Sequence, residues 1–120
     1  MKLIKLALCL LLLQSALLQA KEQHIQLDID YKTVNFSGQP VKAMAINNSI
    51  PGPVLTFEEG DTAVIRVNNK LDSDASIHCH GLLLPNDQDG VPYLNFFPIR
   101  AGESFEYRFP LSHAGTYWYH

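Results

Sequence analysis

Apolar and polar residues alternate in short bursts along most of this chain, and the bursts predict strands. In His24-Ile25-Gln26-Leu27-Asp28-Ile29-Asp30 the residues Ile25, Leu27 and Ile29 fall on one side of an extended backbone, the period-two signature of a half-buried strand. Val41 to Ile46 predicts a second strand, stopped by Asn47-Asn48-Ser49 and by Pro51-Gly52-Pro53, where proline's fixed φ and missing N–H bar a regular ladder. A short strand is expected over Val54 to Phe57, then a turn at Glu58-Glu59-Gly60-Asp61. Thr62 to Val67 is the clearest strand, with Ala63, Ile65 and Val67 on one face. The polar stretch Asn68 to Ser76 is a loop that leads to a strand over Ile77-His78-Cys79-His80-Gly81.

Downstream, Leu82 to Asp89 is expected to be a loop, and Asp89-Gly90 a turn in which glycine supplies a positive φ. Glu103 to Phe109 alternates again and assigns Phe105, Tyr107 and Phe109 to the core. After a turn at Ser112-His113-Ala114-Gly115, the stretch Thr116-Tyr117-Trp118-Tyr119-His120 predicts a last strand. On it Thr116, Trp118 and His120 share one face and Tyr117 and Tyr119 the other. Taken alone, these aromatics are core packing. No helical periodicity, internal repeat or low-complexity tract follows residue 20. Many short strands separated by Gly, Pro, Asn and Asp clusters are the pattern of an all-β sandwich or barrel.

The first residues are of another kind. Met1-Lys2-Leu3-Ile4-Lys5, the apolar run Leu6 to Leu13 and Gln19-Ala20 describe a secretory signal peptide over residues 1–20, cut after Ala20. A retained anchor would need about 18 apolar residues in a row, and Gln14, Ser15 and Gln19 interrupt the stretch. The expected product, residues 21–120, is one exported domain, periplasmic or secreted, with no membrane attachment after cleavage. Lys2 and Lys5 leave with the leader while all twelve acidic residues stay, so the product carries a charge of −5. That balance excludes nucleic acid and anionic membrane as partners. Cys9 leaves too, which makes Cys79 the only remaining thiol and rules out an internal disulfide. The fold must be held by its core or by metal.

The candidate chemistry lies in the histidines. His78 and His80 stand two apart in a strand, so both imidazoles point to one face and can reach one metal cluster. Neutral imidazole suits copper, zinc, iron or nickel. The spacing alone is equally that of a strand with two exposed histidines. His24 is expected in solvent and His113 in a turn.

Five stretches taken together carry a family resemblance. Ile46-Asn47-Asn48-Ser49-Ile50-Pro51-Gly52-Pro53, Ile77-His78-Cys79-His80-Gly81, Asp89-Gly90-Val91-Pro92, Pro98-Ile99 and Gly115-Thr116-Tyr117-Trp118-Tyr119-His120 resemble, in order and spacing, the first cupredoxin domain of multicopper oxidases. The resemblance is to the bacterial copper-resistance, laccase-like branch, and it covers nearly all of residues 21–120. It implies an all-β, plastocyanin-like Greek-key sandwich and copper as cofactor. In that family substrate is oxidised at a type 1 copper, and electrons pass to a trinuclear cluster between the first and last domains, where oxygen becomes water. Position by position, His78 resembles a type 2 copper ligand, and His80 and His120 resemble type 3 ligands. Asp89 resembles the carboxylate that assists proton delivery.

Three departures qualify what the resemblance implies. Cys79 replaces the usual aromatic, and it is expected to face away from the histidines as a spectator. The sequence stops at His120, two residues before the family's next histidine, so the sandwich is expected to lack its closing strand and to self-associate. The later motifs, including the type 1 ligands, are not present in these residues. The resemblance therefore implies a copper-binding amino-terminal domain that works with the remaining cupredoxin domains of an oxidase and does not turn over alone. The competing reading is a stand-alone exported copper-binding or buffering module without catalysis.

Overall fold

The computed structural model describes residues 20–120, so the signal peptide expected up to Ala20 lies outside the described residues but for its last position. Six strands follow: β1 (Glu22–Val34), β2 (Val41–Ile46), β3 (Thr62–Asn69), β4 (Cys79–His80), β5 (Ser104–Pro110) and β6 (Trp118–Tyr119). A single 3-10 turn, Asn86–Gln88, interrupts the loop after β4. Among the described residues no helix is long and apolar enough to cross a membrane.

The long strands form one sheet in the order β2-β1-β3-β5, and the two short ones form a second, β4-β6. β1 runs antiparallel to β2 and parallel to β3, and β3 runs antiparallel to β5. The registers put the predicted inward residues side by side. Leu27 stands opposite Val67, and Val67 opposite Phe105, while Ile25 stands opposite Ile65 and Ile65 opposite Tyr107. These rows form the wall on which β4 and its flanking loops pack, through Ile77, Cys79, Phe96 and Ile99. Leu27, Val67 and Tyr107 are fully buried, and each large apolar side chain so buried contributes about 1.5–3 kcal/mol. Phe96, Phe105 and Tyr107 meet edge to face or stacked, with centroids 4.7–5.7 Å apart.

Five elements differ from the sequence-based expectation. β1 extends well past the alternating heptapeptide, because its far end pairs with β2 from Ile29 to Val34. Val54 to Phe57 is extended, with Leu55 and Phe57 turned to the core, but it joins no ladder. Asn68 and Asn69 belong to β3 and not to the following loop. The histidine strand and the last strand shrink to two residues each.

Asn69 explains how the short second sheet is held in place. It is fully buried, and its Nδ2 donates to the carbonyls of Ser73 and Ile99 at 2.8 Å while Oδ1 accepts the Leu71 N–H at 3.0 Å. A buried amide so satisfied costs little and fixes the loop around it. Ala75 and Ile99 then exchange backbone bonds of 3.0 and 2.8 Å, which delivers the chain to Ile77 at a defined height on the core.

Candidate metal centre

The histidines are placed by the inward face of β4 and β6. Ile77 and Cys79 are buried, and Tyr119 packs against the same core. In the register of the pair, Cys79 stands opposite Tyr119 and His80 opposite Trp118. One step further on, His78 and His120 exchange backbone hydrogen bonds of 2.8 and 3.0 Å, so they too stand directly opposite each other. With Cys79 and Tyr119 facing in, alternation forces His78, His80, Trp118 and His120 onto the other face.

The outcome is a compact cluster. One ring nitrogen from each of His78, His80 and His120 lies within 4.8 Å of the others. The His78 ring centroid is 5.4 Å from each of the other two, and those two are 5.8 Å apart. Trp118 completes the face, 4.8 Å from the His80 ring and 4.5 Å from that of His120. The face is open to solvent: Trp118 is 59% exposed, and His80 and His120 are exposed while His78 is half-buried.

His78 is held from the side. Its Nδ1 lies 2.6 Å from the backbone carbonyl of Asp89 and 3.2 Å from the carboxylate Oδ1 of the same residue. A carbonyl only accepts, so Nδ1 carries the proton and Nε2 is left with the free lone pair. Gly90 makes that approach possible. It has φ +71°, and a Cβ there would stand 2.0 Å from the carbonyl oxygen of Ile77. The Ile77 N–H in turn donates to the buried Tyr107 hydroxyl at 3.2 Å, whose removal from water pushes the phenol up to about 12. A second clamp lies under β6. The Tyr119 hydroxyl donates to the Pro53 carbonyl at 2.6 Å, and a Cβ on Gly52 would reach that hydroxyl at 2.7 Å. The Pro51-Gly52-Pro53 stretch before Val54 is thus a cradle for the last strand.

The remaining candidates fall elsewhere. Cys79 points into the core, where burial, followed by the nearby Asp89 charge, pushes its thiol up to about 11; a thiol held neutral there is a poor ligand. His24 is exposed and pairs with Glu22 at 3.1 Å. His113 packs on Tyr117, with centroids 5.3 Å apart. Trp118 departs from the sequence-based expectation of core packing, since it lies on the histidine face. The one sign of this in the sequence is its parity with His120.

Three convergent imidazoles fit a borderline or soft divalent metal, with copper at the top of the affinity order. An imidazole–metal bond of about 2.0–2.1 Å asks two nitrogens on one ion to be about 4 Å apart or less. A spread of up to 4.8 Å suits ligands shared between neighbouring ions, or a small closing motion onto one.

Comparison with known proteins points the same way. The family described as "Multicopper oxidase" matches residues 28–120. Copper resistance protein A of Pseudomonas syringae pv. tomato is 49% identical over 94 residues, which cover 78% of this chain and 15% of that protein. Copper resistance protein A of Escherichia coli is 45% identical over 94 residues, covering 78% and 16%. The crystal structure of a multi-copper oxidase from Pseudomonas thermotolerans superposes with a TM-score of 0.80 at 35% identity, over 85% of this chain and 25% of that one. The chain thus spans about 15% of the length of the curated relatives it matches.

Proposed function

The chain belongs to the multicopper oxidase family and has its cupredoxin fold, and from that premise we propose that residues 21–120 are the copper-binding amino-terminal domain of such an oxidase. The observation that carries this reading is the convergence of His78, His80 and His120 on one face of the β4-β6 pair. His78 serves as a type 2 ligand, and His80 and His120 as type 3 ligands. Copper held there supplies one-electron chemistry toward dioxygen.

The chain's own residues do the rest. The Asp89 carbonyl commits His78 Nδ1 to a hydrogen bond, so the imidazole presents Nε2 outward in one tautomer. The Asp89 carboxylate, 3.2 Å from the same nitrogen, is the acceptor group beside the cluster that assists proton delivery. Beside His120 runs an apolar groove lined by Met44, Ile46, Pro92, Tyr93 and Pro98, which supports docking of the further cupredoxin domains of a full-length, exported enzyme.

Copper titration by calorimetry tests the reading. His78→Ala and His80→Ala each weaken binding sharply, whereas His24→Ala and His113→Ala do not. Unchanged affinity in both of the first two variants sinks it. Tight binding by the trio, with no oxygen consumption by longer forms that contain it, favours the buffering module instead.

A further inference from the structure

Imidazoles that bind metal are ordinarily oriented by a hydrogen bond from their second ring nitrogen. His78 has that bond, to Asp89. Among the described residues the histidine rings that hydrogen-bond are those of His24, His78 and His113. His80 and His120 are not among them. What these two share is Trp118. Its indole lies 4.8 Å from the His80 ring at an interplanar angle of 28° and 4.5 Å from the His120 ring at 31°. The first pair is stacked and the second tilted, both at the centroid distances of direct aromatic contact.

The placement follows from the strands. Trp118 stands opposite His80 across the β4-β6 pair and two residues before His120 on its own strand. One side chain therefore lies against both imidazoles. It is 59% exposed, so filling the core does not account for it.

We propose that Trp118 is the positioning residue of the cluster: its indole fixes the ring planes of His80 and His120, which no hydrogen bond fixes. His78 is oriented by Asp89 and the other two by contact with the indole, so the three ligands meet copper already arranged. The inference rests on the copper reading of the same cluster.

Two readouts on the full chain test it. In the metal-free protein, NMR relaxation and NOEs of the histidine rings report their order. Trp118→Leu is expected to free the rings of His80 and His120 and leave that of His78 ordered. Calorimetric copper affinity is expected to fall about tenfold or more in the same variant, within the roughly 10–100-fold range for lost outer partners. Trp118→Phe, which keeps an aromatic face, restores most of the affinity. Ordered rings in Trp118→Leu overturn the proposal, as does unchanged affinity. So does equal loosening of all three rings, which would make Trp118 a general prop. If the unsubstituted chain binds no copper the copper reading falls, while ring order in the metal-free chain still decides the part Trp118 plays.

Discussion

The two sheets of this molecule are opposites in construction. β1, β3 and β5 are long, pair through continuous registers and bury rows of Leu, Ile, Val, Phe and Tyr. β4 and β6 have two residues each, and with the flanking His78 and His120 they set four aromatic rings on one face. The first is stable through its own area, and the second only through what fastens its inner face: Ile77, Cys79 and Tyr119 in the core, Gly90 and Asp89 at one end, and the Pro53 carbonyl at the other. An exposed metal face can be rigid with almost no ladder, provided the opposite face is anchored.

If that division is right, substitutions in the two sheets separate stability from copper binding. Leu27→Ala, deep in the large sheet, should have the largest effect, a loss of about 2–5 kcal/mol. Urea denaturation measures it, and copper affinity below the transition should be unchanged.

Gly90→Ala attacks the joint between the regions. A Cβ 2.0 Å from the Ile77 carbonyl, at φ +71°, must push the Asp89 turn off the histidine strand. The expected cost is at least about 1–3 kcal/mol, and with it copper affinity falls about 10–100-fold as His78 loses its partner. Calorimetry and denaturation on the one variant read both effects.

Tyr119→Phe touches only the inner fastening. It removes the 2.6 Å bond to the Pro53 carbonyl and should lower stability by about 0.5–1.5 kcal/mol, with copper affinity nearly constant in the same titration.

The smallest effect lies on the face of the large sheet turned away from the core. The Asp28 carboxylate accepts from Asn68 Nδ2 at 2.6 Å and from Lys70 Nζ at 2.7 Å, and these bonds hold it below the usual aspartate value. A depressed carboxylate stabilises the fold above its unfolded value, and that contribution is lost as pH falls through its folded value. Asp28→Asn should therefore lower the neutral plateau of a stability-versus-pH curve slightly and flatten its acid limb, so that the two proteins converge at low pH.

The same contrast explains what was legible in the sequence. Ile25, Leu27 and Ile29, then Ala63, Ile65 and Val67, then Phe105, Tyr107 and Phe109 announce their strands, because a two-sided strand in a long ladder must alternate. Val64 is buried as well although it lies on the opposite face, where the register sets it between His24 and Arg108; alternation alone cannot show that. Val54 to Phe57 alternates as a strand does, yet it joins neither sheet. The spacing of His78 and His80 announces a common face. The meeting with His120 depends on the β4-β6 register, a contact across about forty residues that no local pattern carries. Asp89 was legible as a carboxylate near the site, whereas the atom closest to His78 is its backbone carbonyl, which every residue has.

The central claim is that the outer face of the small sheet is a copper site. Anomalous scattering at the copper edge from crystals of the copper-loaded chain tests it most directly. The account predicts anomalous density bounded by His78 Nε2 and the rings of His80 and His120, with none at His24 or His113. Copper at His24, His113 or Cys79, with the three convergent imidazoles bare, would contradict it.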